Sequence, residues 1–167
     1  KEASSRELFE LAKRVKRVTD KYDVPLIIND RLDICLAVDA AGVHLGQTDL
    51  PCSEARRILG AEKIIGVSAA TPEEAAKAQS DGADYLGVGA VFATSTKTNT
   101  RPVTAETIRA IRSAVDIPFV VIGGVNSENI SGLHGLGING AAVISAIISQ
   151  SDITAAARKM RQAAERL

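Results

Sequence analysis

Asp30 and Asp49 are candidate metal ligands, because each follows a short apolar run of the sequence. The two runs, Val24–Ile28 and Gly42–Leu45, are too short for helices and predict buried strands. If these strands are parallel neighbours, both carboxylates lie at one edge of the sheet, where two hard oxygen ligands suit Mg2+. Helix capping is the alternative, because each aspartate also precedes a predicted helix.

The longest predicted loop, Phe92–Pro102, carries residues suited to phosphate binding. Hydroxyl groups and two cations are crowded into it: Thr94, Ser95, Thr96, Lys97, Thr98, Asn99, Thr100 and Arg101. Hydroxyls and backbone N–H groups hydrogen-bond to phosphate oxygens, and Lys97 adds a point charge. Long loops in compact domains are usually functional or disordered. The alternative interpretation is a solvated Ser/Thr loop that binds no phosphate.

Two later strand ends also carry residues that favour an anion. Gly123 and Gly124 follow a predicted strand, and glycine lets the backbone approach a ligand closely. Ser145 begins a short predicted helix after the last strand, where backbone N–H groups and the helix dipole favour phosphate. Barrel enzymes often bind phosphate at this place in the chain. The two features together predict a second part of a phosphate site.

Other catalytic arrangements are missing from the sequence. No Ser-His-Asp order or Cys-His pair indicates a covalent nucleophile, and no glycine-rich dinucleotide fingerprint occurs. His44 is interpreted as a core residue of a strand, and His134 as a surface or packing residue of a helix. Cys35 and Cys52 lack metal-ligand spacing and are interpreted as packing residues in a reducing environment.

Strands and helices alternate along the chain, which predicts a parallel sheet covered by helices. An opening helix, Ser4–Asp20, precedes six strand-then-helix units. The predicted strands are Val24–Ile28, Gly42–Leu45, Lys63–Val67, Tyr85–Val88, Phe119–Ile122 and Ala141–Ile144. The longer predicted helices after the first are Leu32–Ala40, Pro51–Leu59, one from Thr71 to about Asp81, Thr104–Ala114, Glu128–Leu136 and Ile153–Leu167.

An open doubly wound sheet and a (β/α)8 TIM barrel both fit this α/β pattern. Open sheets concentrate ligand residues at one switch point, whereas barrels use the carboxyl ends of several strands. Polar or glycine residues follow nearly every predicted strand, which favours the barrel. About six of its eight strands are present.

Composition narrows the functional class. The 167 residues include 20 Lys and Arg against 20 Asp and Glu, with 46% hydrophobic and 3% aromatic residues. This length predicts a single domain over residues 1–167, and the aliphatic composition suits buried parallel strands. Zero net charge argues against nucleic-acid and anionic membrane partners. No apolar run reaches the roughly 18 residues of a membrane span, so a cytoplasmic location is expected.

Six ordered segments of the chain resemble the thiamine phosphate synthase family. They span nearly the whole chain and are Ile28–Arg31, Gly42–Leu50, Ile65–Ser68, Gly82–Gly89, Thr94–Lys97 and Ile122–Val125. The resemblance implies a transferase of thiamine biosynthesis. It joins 4-amino-2-methyl-5-hydroxymethylpyrimidine diphosphate to 4-methyl-5-(2-hydroxyethyl)thiazole phosphate and releases pyrophosphate.

The resemblance also implies roles for individual residues. Asp30 and Asp49 hold Mg2+ on the diphosphate. The catalytic contacts to the pyrimidine substrate come from Asn29, Ser68 and Lys97. The thiazole phosphate is held by a larger set: Thr94, Ser95, Thr96, Gly124, Ile144 and Ser145.

The start of the chain departs from the family pattern. The family begins with a strand, a helix and a second strand carrying a Gln-x-Arg-x-Lys motif that helps bind the diphosphate. Its Gln and Arg are absent here, and Lys1 matches the final Lys. The resemblance therefore predicts an N-terminally truncated barrel that lacks two strands and exposes apolar surface at its open edges.

Two other functions remain open at the level of sequence. A thiazole tautomerase-type relative binds a thiazole phosphate without joining it to anything. A non-catalytic phosphate-binding barrel fragment binds ligand without turnover. The paired aspartates and Lys97 favour the synthase, because a tautomerase has no diphosphate to neutralise.

Overall fold

The computed structural model of the chain describes residues 3–93, 102–165 and 167. The strands found there are β1 (Ile27–Asn29), β2 (Gly42–Leu45), β3 (Ile64–Ala69), β4 (Tyr85–Gly89), β5 (Phe119–Ile122) and β6 (Gly140–Ala142). The α-helices are α1 (Ser5–Lys21), α2 (Leu32–Ala37), α3 (Cys52–Leu59), α4 (Pro72–Ser80), α5 (Ala105–Ala114), α6 (Ser145–Ile148) and α7 (Ile153–Ala164). One 3-10 helix covers Ile130–Leu133. The predicted alternation of strands and helices is confirmed.

The chain forms two compact units. The first contains the residues up to Val67 together with Asp81–Asp84, and the second contains Ser68–Ser80 and the residues from Tyr85 onward. In the first unit β1, β2 and β3 pair in parallel, with Ile28 opposite Val43 and Val43 opposite Ile65.

In the second unit β4, β5 and β6 also pair in parallel. Val88 lies opposite Val121, and Val121 lies opposite Ala141. A doubly wound sheet reverses its strand order at a switch point. Within each unit the strands follow one another in chain order instead, as they do in a (β/α)8 barrel.

The core is aliphatic, as the composition predicts. Strand side chains that are fully shielded from solvent in the two units are Val43, Ile65, Leu86, Val88, Phe119 and Val121. Burying a side chain of this size stabilises a fold by about 1.5–3 kcal/mol. Burial of these side chains therefore stabilises the strands in addition to the backbone hydrogen bonds between them. Together these interactions fix the positions of the carboxyl ends of the strands.

Side chains cap the starts of two helices, α1 and α5. The Ser4 hydroxyl accepts a hydrogen bond from the Glu7 N–H at 3.3 Å, and the Ser4 N–H donates to the Glu7 carboxylate at 2.8 Å. This reciprocal pair is a capping box and sets the first turn of α1. The Thr104 hydroxyl caps α5 by accepting a hydrogen bond from the Thr107 N–H at 3.2 Å.

The predicted helix Glu128–Leu136 is wrong, because the segment forms only the short 3-10 helix. The Asn126 side-chain oxygen accepts from the Glu128 and Asn129 N–H groups, and the Asn129 side chain accepts from Asn126 N–H. Such local bonds replace the ladder of a regular helix. Gly135 and Gly137, at φ of 71° and 73°, then end the segment, and His134 is exposed beyond it.

Helix α1 leaves much of its apolar side uncovered. Ala12 is buried, but the side chains of Leu11, Val15 and Val18 are 51%, 38% and 58% exposed. None of the helices in the described residues has the length and apolar character needed to cross a membrane.

Candidate functional site

The chain turns sharply where β1 ends. The Arg31 N–H donates to the Asn29 carbonyl at 2.8 Å, which closes a three-residue γ-turn around Asp30. Asp30 has a φ of 63°, in the left-handed region that is costly for residues other than glycine. The Asp30 N–H donates to the His44 carbonyl of β2 at 2.8 Å. A strained backbone held by a neighbouring strand is typical of a functional site.

Asp49 lies in the turn that follows β2. Its carboxylate Oδ2 accepts the Gly46 N–H at 2.6 Å, and its own N–H donates to the Gly46 carbonyl at 3.2 Å. A Cβ added to Gly46 would lie 2.9 Å from the same Oδ2, so a larger residue there would displace the Asp49 carboxylate. The turn therefore fixes where the Asp49 carboxylate sits.

Neither aspartate occupies the N-cap position of the helix that follows it. The residues at the N-caps of α2 and α3 are Arg31 and Pro51, and neither cap has a side-chain hydrogen bond. Asp30 and Asp49 instead follow the carboxyl ends of neighbouring parallel strands. The described residues contain no cluster of three or more metal-ligating side chains. Two carboxylates alone still fit Mg2+, which keeps several waters and completes its shell with substrate phosphate oxygens.

Arg31 and its partners lie beside this pair of turns. The Arg31 guanidinium donates to both carboxylate oxygens of Asp33, at 2.8 and 2.6 Å, and to the Ser5 hydroxyl at 2.8 Å. The hydrogen bond from Arg31 holds the pKa of Asp33 below its ordinary value. Ser5 begins α1, so Arg31 joins that helix to the turn after β1.

Ser68 lies inside β3 rather than just beyond it, because this strand extends to Ala69. Its side chain is partly exposed, whereas Val67 and Ala69 on either side are buried. Alternation along a strand points successive side chains to opposite faces. Ser68 therefore points away from the face that Val67 and Ala69 occupy.

Gly124 lies where the chain leaves β5 and has a φ of 66°. A Cβ built on it would lie 2.5 Å from the Ala93 carbonyl oxygen and 2.8 Å from the Phe92 Cβ. Its own carbonyl accepts from the Asn129 side-chain amide at 2.9 Å. Glycine is thus required here for both its backbone angle and its lack of a side chain.

The neighbouring strand β6 leads to Ile144 and Ser145, which open α6 as predicted. Both residues are exposed. Because β5 and β6 are parallel neighbours, Gly124 and Ser145 follow the carboxyl ends of adjacent strands in the second unit. In the first unit Asn29, Asp30 and the Asp49 turn are brought together in the same way.

The other proposed site residues lie outside the described residues: Lys1, Thr94, Ser95, Thr96 and Lys97. The chain on either side of residues 94–101 is held by backbone hydrogen bonds. Phe92 N–H donates to the Gly123 carbonyl at 3.0 Å, and Val103 N–H donates to the Ala90 carbonyl at 2.9 Å. The described residues on both sides of this segment are therefore held in place, and Phe92 and Ala93 lie beside Gly124.

Substituting Gly124 by alanine is expected to destabilise the fold by about 3 kcal/mol, from its left-handed backbone and the clash with the Ala93 carbonyl. Urea unfolding measures this cost. Gly132→Ala is the matched control, because a Cβ there meets nothing within 4 Å. Equal midpoints for the two variants would contradict the close packing at Gly124.

Sequence reasoning missed the largest side-chain network of the first unit. The half-buried Arg56 guanidinium donates to the carbonyls of Gly60 and Lys63, both at 2.7 Å, and to the Gly82 carbonyl at 2.8 Å. It also pairs with the Asp84 carboxylate at 2.6 Å, whose oxygen accepts the Ile65 N–H. The Gly-Ala-Asp segment of the resemblance thus has a structural role.

A protein-family model and several known proteins match most of this chain. Residues 1–147 match the family model described as thiamine monophosphate synthase. A thiamine-phosphate synthase of Ruminiclostridium cellulolyticum is 57% identical over 96% of this chain and 76% of the relative. One from Clostridium botulinum is 50% identical over 100% of this chain and 78% of the relative.

Solved structures give the same result. Thiamine phosphate pyrophosphorylase from Pyrococcus furiosus superposes with a TM-score of 0.91 and 41% identity, over 99% of this chain and 79% of that one. A 3-hexulose-6-phosphate synthase, at 20% identity and a TM-score of 0.72, shares the fold. The predicted α/β fold class is confirmed, and the chain belongs to the thiamine monophosphate synthase family.

Proposed function

We propose that this chain is a transferase of thiamine biosynthesis that condenses the pyrimidine diphosphate with the thiazole phosphate to thiamine phosphate and pyrophosphate. The observation that carries the proposal is the pair of turns that hold Asp30 and Asp49 after two neighbouring strands. Membership of the family and a carboxylate pair suited to a metal-bound diphosphate support the same reaction.

The reaction exchanges one bond for another. The C–O bond between the pyrimidine methylene carbon and the diphosphate breaks, and its electron pair leaves with pyrophosphate. The thiazole nitrogen then supplies the electron pair of the new C–N bond to the same carbon. Charge develops on the leaving group, so electrostatic stabilisation there is the main contribution expected of the protein.

The chain's own residues divide the work of binding. Asp30 and Asp49 would hold Mg2+, which when bound neutralises charge on the diphosphate. Asn29 and Ser68 contact the pyrimidine, and Lys97 contributes a positive charge at the leaving group. The thiazole phosphate is held by hydroxyls and backbone groups at Thr94, Ser95, Thr96, Gly124, Ile144 and Ser145. Lys1 is assigned to the diphosphate.

The test is an omission assay on the protein with Mg2+ present. Mass spectrometry is expected to detect thiamine phosphate only when both phosphorylated substrates are supplied. Chelation of the metal is expected to stop the reaction. Conversion of a thiazole tautomer without any pyrimidine diphosphate would favour the tautomerase, and binding of either substrate without product would favour a non-catalytic protein.

Lys97→Ala is expected to lower the rate of thiamine phosphate formation by about 100-fold, because it removes a positive charge from the leaving group. Lys97→Arg keeps the charge and is expected to retain more of the rate. Lys13→Ala on the exposed side of α1 is the control and should leave the rate unchanged. An unaltered rate in Lys97→Ala would remove this residue from the mechanism.

A further inference from the structure

The turn that presents Asp30 has an external support that begins on α1. We propose that Arg31 is a positioning residue, and that its hydrogen bonds to Asp33 and Ser5 hold the Asp30 turn in the shape that binds the metal. The inference rests on the proposed function, because it takes Asp30 as a ligand of Mg2+. It concerns side chains to which the resemblance gives no role.

The backbone at Asp30 is strained. This residue is the centre of the γ-turn closed from the Arg31 N–H to the Asn29 carbonyl, with a φ of 63°. Residues other than glycine keep such a backbone only where their surroundings determine it. One backbone bond, from the Asp30 N–H to the His44 carbonyl, ties the turn to β2. On the other side of the turn the Arg31 carbonyl accepts the Cys35 N–H at 3.0 Å, and the Arg31 side chain adds a further restraint.

The Arg31 side chain supplies that restraint. Its Nε and Nη2 donate to the two carboxylate oxygens of Asp33 at 2.8 and 2.6 Å, a planar two-point contact that fixes the guanidinium. The same Nη2 donates to the Ser5 hydroxyl, 26 residues earlier in the chain, at 2.8 Å. The side chain that follows Asp30 is therefore tied both to α2 and to α1.

The first turn of α1, where these hydrogen bonds end, is held by its own capping box. Ser5 is the first residue of α1, and the Ser4–Glu7 capping box fixes the backbone of that first turn. The hydrogen bonds thus form one path from the α1 cap through Ser5 and Arg31 to the Asp30 turn. Groups that orient metal ligands typically change metal affinity 10- to 100-fold when they are removed.

The test measures metal affinity directly. Mn2+ is titrated into the protein with inorganic pyrophosphate, and free Mn2+ is followed by electron paramagnetic resonance against a blank without protein, because pyrophosphate itself binds Mn2+. Arg31→Ala is expected to weaken Mn2+ binding at least about tenfold. Ser5→Ala and Asp33→Ala keep the Arg31 cation but remove the acceptors of its two attachments, and each is expected to weaken Mn2+ binding in the same direction.

These variants separate positioning from direct anion binding by Arg31. If Arg31 simply contacted the diphosphate, Ser5→Ala and Asp33→Ala would bind Mn2+ like the wild type, and that result would overturn the proposal. Glu54→Ala is the matched control, because it breaks the exposed Arg57–Glu54 ion pair on α3. Wild-type Mn2+ affinity in that control, with weakened affinity in the Ser5 and Asp33 variants, supports the positioning role.

Assays of activity complete the test. The Mg2+ concentration that gives half the maximal rate is expected to rise about tenfold in Arg31→Ala. The KM for the thiazole phosphate should stay unchanged. Failure of the wild type to form thiamine phosphate would overturn the proposed function. An active wild type whose Arg31→Ala variant keeps the normal Mg2+ dependence would overturn the positioning role alone.

Discussion

Replacing Asp30 or Asp49 by alanine is expected to lower the rate of thiamine phosphate formation by at least about 100-fold, because each change removes half of the charge that would hold the metal. Steady-state rates at several Mg2+ concentrations measure the loss. Excess Mg2+ is expected to restore part of the rate, since weakened binding is overcome by mass action.

Asp49→Asn separates the charge of this residue from its role in the turn. The asparagine side-chain oxygen can still accept the Gly46 N–H that now bonds to Oδ2, so the turn is kept. The negative charge is lost, and the rate is expected to fall nearly as far as in Asp49→Ala. A normal rate in Asp49→Asn would show that this residue only shapes the turn.

Asp20→Asn is the control for both aspartates. This exposed carboxylate pairs with Lys16 on α1 at 2.8 Å and takes no part in the turns after β1 and β2. Its loss is expected to leave both the rate and the Mg2+ dependence at wild-type values. A comparable fall in this variant would indicate a general effect of surface charge.

Arg56→Ala is expected to lower the free energy of unfolding by about 3 kcal/mol, because it leaves Asp84 and several carbonyls without their charged donor. That cost is a large fraction of the 5–15 kcal/mol by which a domain is typically stable. Urea unfolding followed by circular dichroism measures it. The Gly60, Lys63 and Gly82 carbonyls all depend on this one side chain.

The neighbouring arginine provides the matched control for this prediction. Arg57 is exposed and pairs with Glu54 within α3 at 2.8 Å, so Arg57→Ala is expected to cost less than about 0.5 kcal/mol. Arg56→Lys keeps the charge but loses the planar fork, and its stability should lie between those of the wild type and Arg56→Ala. Equal stability of Arg56→Ala and Arg57→Ala would contradict the structural role of the network.

Local rules predicted the parts of the fold that depend on neighbouring residues. The predicted opening helix forms as α1 with Ser4 as its cap, since a cap needs only the next three residues. Parallel strands covered by helices followed from the regular alternation of elements, and the barrel was favoured by the polar or glycine residues that follow nearly every strand. The segment Glu128–Leu136 failed because Asn126 and Asn129 bind their own backbone, and this competition leaves no trace in the hydrophobic pattern.

The candidate site was only partly predictable for a related reason. The sequence placed Asp30 and Asp49 after adjacent strands but left metal binding and helix capping equally open. The sequence does not show the geometry of the turns that hold these residues, such as the hydrogen bond from the Gly46 N–H to the Asp49 carboxylate. Arg56 escaped detection because its partners Gly82 and Asp84 lie 26 and 28 residues away along the chain. Contacts over such distances need the folded structure.

Phosphorus NMR of the wild-type protein with both phosphorylated substrates and Mg2+ tests the proposed condensation most directly. The proposed function predicts that thiamine phosphate and pyrophosphate accumulate in equal amounts, and that Asp30→Ala forms neither at a comparable rate. Pyrophosphate released without thiamine phosphate, or no turnover of either substrate by the wild type, would contradict it.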